Sequence, residues 1–270
     1  MPTHFHLKQQ PAVPLEAEVL SPDRLCELSN SQICELIVYH GKRQVPLSEF
    51  FDVEGDGSED IELHGDLNKC RWIGSRMTKG SVTVHGNVGM HLGSYMKNGR
   101  IEIHGDASDW MGAEMKNGFI HVHGNAGGQI GAAYRGALSG MKNGTIIVDG
   151  SAGLEVGMRM RRGTIVLGGV ARDFCGLQMK GGTIVLLDGA EIRTGAWMNR
   201  GTIISMKPIQ MMPTFNYAND FNPTFMNVYA QQLTQYGIDL PFAASAGTFQ
   251  RYAGDLSVPG KGEILLWQPA

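Results

Sequence analysis

"MKNGRIEIHG", "MKNGFIHVHG" and "MKNGTIIVDG" begin at Met96, Met115 and Met141, and together they decide the fold of this 270-residue chain. Almost the same ten residues occur three times. The glycine three positions after each methionine also recurs at regular intervals before and after these three copies, and we call such a set of equivalent residues a column. That column is Gly80, Gly99, Gly118, Gly144, Gly163, Gly182 and Gly201. Its steps are 19 residues, apart from one of 26, so seven copies of one unit fill residues 61–207.

Each unit carries a short strand between glycine-rich turns. Residues 100–104, RIEIH, alternate apolar and polar side chains, which is typical of a strand with one buried face. The glycines favour turns with positive φ. No unit contains the roughly 10 to 12 residues of helical pattern that a βαβ or leucine-rich repeat needs. The sequence therefore predicts an all-β fold, a right-handed single-stranded parallel β-helix of seven rungs about 4.8 Å apart.

Apolar residues that occupy equivalent positions in successive units are expected to form the buried interior. One aliphatic column is Val82, Ile101, Ile120, Ile146, Ile165, Ile184 and Ile203. A small-residue column, where the cross-section narrows, is Val88, Ala107, Ala126, Ala152 and Ala171. The repeated methionine is expected to fill a corner, because its side chain adapts to irregular space.

The segments outside the repeat are expected to cap the open ends of the stack. Residues 1–60 predict a small mixed N-terminal cap, with a strand, a turn and a second strand in residues 33–47. Residues 208–270 predict a C-terminal cap. Asn222 before Pro223, with Gly237 further on, predicts one helix between them.

Composition excludes several classes of function. With a net charge of −3, the chain lacks the overall excess of basic residues that is typical of nucleic-acid-binding proteins. No apolar run is long enough to span a membrane and no signal peptide is evident, so we expect a cytoplasmic protein without a membrane partner. The scattered cysteines, Cys26, Cys34, Cys70 and Cys175, argue against a structural zinc site or an iron–sulfur cluster.

A histidine column, His64, His85, His104 and His123, directly precedes one of the glycine columns. Stacked imidazoles can share a metal ion. We favour a plain ladder of like side chains, because the column continues as Asp149, Gly168 and Asp188. No nucleophile–base pair is evident either, so we expect no catalytic residue, metal or cofactor in this chain.

Two other features are candidates for binding a partner or a polyanion. A basic column follows the methionine on five successive units and consists of Lys97, Lys116, Lys142, Arg161 and Lys180. It is either a solvated edge or a ridge for an acidic surface. The 26-residue step adds a seven-residue insert, which includes Tyr134 and Arg135 and is either a tolerated loop or a partner contact.

The repeat with "MKNG", the insert "GGQIGAAYRGALSGMKNGTIIVDG" and the ending "YAGDLSVPGKGEILLW" resemble one known family. That family comprises the C subunit of formylmethanofuran dehydrogenase and, still closer, its counterpart in the formyltransferase/hydrolase complex of methylotrophic bacteria. The repeat region is also similar to the C-terminal domain of the glutamate synthase large subunit. The resemblance spans nearly the whole chain.

The resemblance implies a non-catalytic scaffold subunit of an enzyme complex. Companion subunits would be amidohydrolase-like, formyltransferase-like and, in the archaeal enzyme, molybdoenzyme-like. The complex would pass formyl groups between tetrahydromethanopterin and a methanofuran-type coenzyme and release formate during formaldehyde oxidation, with metal held by a companion. The bacterial and archaeal contexts both remain open from this chain.

Two stand-alone enzymes remain as alternatives. A hexapeptide-type acyltransferase also builds a solenoid with aliphatic–glycine pairs, although here the glycine steps are 7, 6 and 6 residues with the pair on one side only. A polysaccharide-active β-helix would use an exposed aromatic groove. The mixed column Trp72, His91, Trp110, Gln129, Glu155, Phe174 and Arg193 keeps that alternative open.

Overall fold

The computed structural model describes residues 1–238, 240 and 247–270. Within these ranges the chain is mostly β, and its strands form one sheet of 13 strands and one of four. None of the helices in the described ranges has the length and apolar character to cross a bilayer.

The N-terminal segment combines short strands with short helices. Its strands are β1 (Thr3–Leu7), β2 (Leu15–Glu16), β3 (Ile37–His40), β4 (Arg43–Pro46) and β5 (Phe51–Glu54). Its helices are α1 (Pro22–Leu25), α2 (Asn30–Cys34) and a 3₁₀ turn at Leu47–Glu49. The predicted strand, turn and strand correspond to β3 and β4, which pair antiparallel around Gly41.

Each repeat unit adds a strand to the large sheet, and one further strand, β6, precedes the first glycine turn. These strands are β6 (Asp60–His64), β8 (Ser81–His85), β9 (Arg100–Ile103), β10 (Phe119–Val122), β11 (Thr145–Val148), β12 (Thr164–Leu167), β13 (Lys180–Leu186) and β14 (Arg200–Ser205). The short β7 (Cys70–Arg71) belongs to the four-stranded sheet, whose order is β4-β3-β2-β7.

The strands β6 and β8 to β14 pair in parallel, each with the next one along the chain. Ile101 faces Ile120, which faces Ile146, so the predicted aliphatic column is in register. Phe119 pairs with Thr145 across the 26-residue step, which shows that the insert leaves the sheet without shifting its register.

Two further lines of contact join successive units. Isolated parallel bridges link Leu67, Val88, Ala107, Ala126, Ala152, Ala171 and Ala190. On another side, the Gly93 amide donates to the Ile73 carbonyl at 2.9 Å, and the same bond recurs from Gly112 to Leu92 at 2.8 Å. Each unit therefore contacts the next at three separate places.

The interior holds the predicted columns. The aliphatic column is fully buried, as is the methionine column, Met77, Met96, Met115, Met141, Met160, Met179 and Met198. The small-residue column is also buried. These columns form one continuous core that runs into the N-terminal segment through Phe5 and Phe51.

The segments outside the repeat supply both ends of the large sheet. β1 pairs parallel with β6 and antiparallel with β5. At the other end β17 (Gly262–Pro269) pairs parallel with β14, followed by β16 (Gly247–Gly254) and β15 (Asn216–Phe221) in antiparallel pairs. The boundaries of the repeat and its two caps at residues 60/61 and 207/208 remain predictions.

The C-terminal segment also covers part of the outer face of the sheet. Ile147, Val166 and Val185 point outward yet are fully buried, in a second apolar cluster with Phe249 and Trp267. The helix α3 (Met226–Thr234) packs on this cluster. The sequence predicts that the helix begins at Pro223, but it begins at Met226, because residues 223–225 form turns. Its N-cap is therefore Phe225 and not Asn222.

Glycine after the methionine turn is required by space as well as by conformation. Gly144 has a φ of +95°, and a Cβ there would lie 2.6 Å from the Gly118 carbonyl oxygen of the preceding unit. Gly136, in the insert, has a φ of +87°, but a Cβ there would meet nothing within 4 Å. Comparing the two positions therefore separates two contributions to the free energy of unfolding. One is the penalty of a positive φ, and the other is the steric clash with the preceding unit.

We expect Gly144→Ala to destabilise the protein more than Gly136→Ala. Both changes carry the penalty of a positive φ, about 1–2 kcal/mol, and only the first also crowds a backbone oxygen, for about 1–3 kcal/mol more. Urea unfolding followed by far-UV circular dichroism measures the difference. Equal midpoints for the two variants would contradict this account of the repeat.

Candidate interaction surface

The basic column is held on a regular backbone frame. Each of its amides donates to the carbonyl of a methionine in the preceding unit, for example Lys97 to Met77 at 2.8 Å and Lys116 to Met96 at 2.7 Å. Lys97, Lys116, Lys142 and Arg161 are exposed, and Lys180 is half-buried. The backbone therefore places one basic side chain per unit along one edge of the stack.

The charges of the basic column are not neutralised within the described part of the chain. The lysine and arginine ion pairs found there belong to other residues. Lys180 instead donates through Nζ to the Leu138 carbonyl at 2.6 Å. Like charges at this spacing repel, so an acidic partner surface would relieve a repulsion that the free chain carries.

The structure brings the insert and the basic column together, although they are separate features of the sequence. A cavity of about 480 Å³ is lined by Leu138, Ser139, Arg161, Lys180, Asn199 and Arg200. A smaller one of about 240 Å³ is lined by Lys142, Arg161 and Arg162. Arg161 thus borders both, and the insert forms one wall of the basic surface.

The two insert residues singled out from the sequence have different environments. The Tyr134 hydroxyl lies 2.8 Å from His91 Nδ1 and 2.8 Å from Ser94 Oγ, and its ring stacks on Trp110 at 4.9 Å. Burial raises the pKa of the Tyr134 phenol. Tyr134 therefore anchors the insert to the body of the protein, and the next residue, Arg135, remains exposed to solvent.

The histidine column forms a stack of nearly parallel rings. Ring centroids are 4.6 Å apart for His64 and His85, 5.1 Å for His85 and His104, and 5.2 Å for His104 and His123, with interplanar angles of 10–11°. His6 of β1 extends the stack, 4.5 Å from His64. The repeat pattern does not reveal His6, because β1 lies outside the repeat.

At its N-terminal end the stack meets a carboxylate. The Oε2 atom of Glu62 lies 2.9 Å from His85 Nε2, 3.8 Å from His4 Nδ1 and 3.9 Å from His64 Nε2. The hydrogen bond from His85 lowers the pKa of Glu62. Burial, and then the neighbouring imidazoles, lower the pKa of His64, which keeps this ring neutral near pH 7.

At the other end the stack is closed by direct hydrogen bonds. Asp149 contacts His121 Nε2 at 2.8 Å and His123 Nδ1 at 2.9 Å, while Glu102 contacts His123 Nε2 at 3.1 Å. Burial opposes the charge on His123, but the hydrogen bonds to Glu102 and Asp149 outweigh it and raise its pKa. The two carboxylates on either side of His123 therefore favour its protonated form.

Comparison with known proteins places the repeat in a family. The model of the GXGXG motif family matches residues 67–219. The chain is 40% identical over 90 residues to the C subunit of the tungsten-containing formylmethanofuran dehydrogenase 2 of Methanothermobacter wolfeii, which covers 32% of this chain and 33% of that protein. It is 36% identical over 85 residues to the C subunit of the molybdenum-containing formylmethanofuran dehydrogenase 1 of Methanosarcina barkeri, covering 30% and 28%.

These curated relatives are thus matched over about a third of their own length. A solved structure extends the likeness to the whole chain. In the crystal structure of the formyltransferase/hydrolase complex FhcABCD from Methylorubrum extorquens in complex with methylofuran, one chain superposes with a TM-score of 0.89 at 30% identity, covering 97% of this chain and 98% of that one. The protein therefore belongs to the GXGXG motif family, as a homologue of the formylmethanofuran dehydrogenase C subunit and of its counterpart in the bacterial formyltransferase/hydrolase complex.

Proposed function

We propose that this chain is a structural subunit, without an active site of its own, of a multi-subunit complex of the formyltransferase/hydrolase type. The observation that carries the proposal is the full-length likeness to a chain of the FhcABCD complex. The curated relatives support it, since each is the C subunit of a formylmethanofuran dehydrogenase. Companion subunits would be amidohydrolase-like and formyltransferase-like, with a molybdoenzyme-like subunit in the archaeal context.

The chemistry would belong to those companions. They would pass formyl units between tetrahydromethanopterin and a methanofuran-type coenzyme and release formate in formaldehyde oxidation, in the cytoplasm. Within this chain, burial raises the pKa of the Cys70 and Cys175 thiols to about 12, so neither supplies a thiolate near pH 7. A metal that serves catalysis would be held by one of the companions.

The architecture suits a spacer. We propose that the chain winds as a right-handed parallel β-helix and that the mostly parallel sheet is one side of it. The three lines of contact between successive units support this proposal. Such a stack is stiff, because every unit is hydrogen-bonded to its neighbours along its length. It would hold companion subunits at a fixed separation.

A stand-alone polysaccharide-active enzyme is the weaker proposal. It needs an open aromatic groove, but Trp72 stacks on His91 at 4.1 Å and Trp110 stacks on Tyr134 at 4.9 Å. These rings pack against each other and secure the insert. Assays of the purified chain for polysaccharide cleavage and for acyl transfer test this alternative and the hexapeptide-type acyltransferase together.

The face that meets a companion is proposed to combine Arg135 with the basic column. Arg135 is exposed beside a tyrosine that anchors its loop, so it loses little conformational entropy on binding. The basic column supplies unneutralised positive charge beside another part of the same insert, Leu138 and Ser139. An acidic surface of a companion is the complementary ligand, or the glutamate-rich tail that the family resemblance implies for a methanofuran-type coenzyme.

The native chain is expected to co-purify with amidohydrolase-like and formyltransferase-like subunits, identified by mass spectrometry. Alone it is expected to show no turnover with formyl donors. Isolation of the native chain as a free monomer under gentle conditions would contradict the proposal, as would turnover by the chain alone.

Arg135→Ala is expected to weaken assembly with the companion subunits by tens of fold, because truncating an arginine at the centre of an interface costs about 2 kcal/mol or more. Arg43→Ala, at an exposed site on β4, is the matched control and should leave assembly unchanged. Affinity is measured by biolayer interferometry on the reconstituted complex. Equal affinity of both variants and the wild type would remove Arg135 from the interface.

Changing Lys97, Lys116 and Lys142 together to glutamine is expected to lower affinity for the companion or coenzyme several-fold to a hundredfold. Each exposed pairing is worth about 0.2–1 kcal/mol. The change should also flatten the dependence of affinity on salt, since such pairs are screened over about 8 Å at physiological ionic strength. Lys42, Lys207 and Lys261, all exposed, changed together to glutamine are the charge-matched control. An unchanged affinity and salt slope in the first variant would return the column to a solvated edge.

A further inference from the structure

Seven of the nine histidines lie in one stripe on the outer face of the large sheet. They are His4, His6, His64, His85, His104, His121 and His123. We propose that the N-terminal end of this stripe binds one divalent transition-metal ion of the zinc class through His4, Glu62 and His64. Nothing in the likeness to known proteins assigns a metal to this position.

The three ligand atoms already converge. His4 Nδ1 and His64 Nε2 are 3.3 Å apart, and Glu62 Oε2 lies 3.8 and 3.9 Å from them. A tetrahedral zinc ion with bonds of about 2.0–2.2 Å separates its ligand atoms by about 3.3–3.6 Å. The observed separations fit one shared ion with small side-chain movements. A water molecule would take the fourth position.

The sheet supplies the convergence. β1 and β6 are neighbouring parallel strands in which His4 faces Glu62 and His6 faces His64. The residues between them, Phe5 and Leu63, point into the core and are fully buried. All the ligands therefore project from the same face of a hydrogen-bonded platform, and each side chain remains about one-third exposed, which lets an ion enter.

Neighbouring side chains hold the ligands in place. His85 Nε2 is 2.9 Å from Glu62 Oε2, so its N–H can orient the carboxylate. His6 stacks on His64 at 4.5 Å with an interplanar angle of 9°, which restrains the rotation of that ring. Outer partners of this kind are the usual support of a metal site in proteins.

The donor set selects the metal. Two imidazole nitrogens and one carboxylate oxygen suit zinc, copper or nickel, whereas magnesium and calcium prefer ligands that are all oxygen. This differs from the sequence-based expectation that the chain holds no metal. That expectation rested on the histidine column and on the scattered cysteines, and it included neither His4 nor Glu62.

The opposite end of the stripe also brings His121, His123 and Asp149 together. There the carboxylate oxygens are already hydrogen-bonded to both imidazoles at 2.8 and 2.9 Å. At the N-terminal end His4 and His64 stay 3.8 and 3.9 Å from the carboxylate, too far for a hydrogen bond. His4 Nδ1 and His64 Nε2 share a hydrogen bond at 3.3 Å, and Glu62 Oε2 accepts from His85, which is not one of the three ligands. In the N-terminal group, therefore, the carboxylate has not yet paired with the two imidazoles that would share an ion with it.

A bound ion would fasten β1 to β6, because His4 lies on β1 and Glu62 and His64 lie on β6. The test uses the full chain, prepared without a histidine tag and stripped with EDTA. Zinc chloride is titrated against a chromophoric chelator. We expect one zinc ion per chain, a higher melting temperature with zinc, and the visible absorption of tetrahedral cobalt when Co²⁺ replaces it.

His4→Ala and Glu62→Gln are expected to lower zinc affinity by more than about a hundredfold, which exceeds the 10–100-fold cost of losing an outer partner. His85→Ala should lie within that smaller range. His104→Ala is the matched control, because His104 lies in the same stack but in neither converging group, and it should bind zinc like the wild type. Magnesium in excess should not compete.

Melting of each stripped variant without metal shows whether it is folded, and Glu62→Gln serves where His4→Ala lowers stability. Three results would overturn the proposal. They are the absence of zinc binding tighter than the chelator control, zinc binding that survives both His4→Ala and Glu62→Gln, and zinc binding that is abolished only by His121→Ala.

Discussion

The fold depends on the close backbone approach of successive repeat units at their glycine turns. Gly144 allows the Gly118 carbonyl to lie where any side chain would collide, and its positive φ turns the chain into the next strand. Because this spacing is kept, residues at equivalent positions of successive units pair in register. The aliphatic and methionine columns therefore fill the interior. The outward-facing columns of the repeat inherit this regularity.

The same regularity explains why the candidate functional features lie on the surface. A buried column that repeats the same apolar residue has no place for an asymmetric catalytic group, whereas outward columns repeat charge or imidazole at fixed intervals. The basic column and the histidine stripe are both products of stacking. The insert breaks the period once. Tyr134 anchors it to the body of the protein, and Leu138 and Ser139 of the insert border the basic column at Arg161 and Lys180.

The sequence predicted the parallel register because period and column identity are local signals, and Phe119 faces Thr145 as the insert requires. It did not predict that His4 and His6 join the histidine column, since β1 has no periodic relation to β6. It also did not predict that the insert folds back onto Trp110, or that α3 and Trp267 cover Val166 and Val185. Those contacts join segments far apart in the chain, and no spacing rule encodes them.

Lysine-reactive cross-linking of the native complex, followed by mass spectrometry, tests the central claim most directly. If the chain is a structural subunit that meets its companions through the insert and the basic column, Lys97, Lys116 and Lys142 should cross-link to one companion in the assembled complex. These cross-links should disappear when the complex is dissociated by salt. Cross-links from these three lysines that stay within this chain, in a complex shown to be intact, would contradict the account.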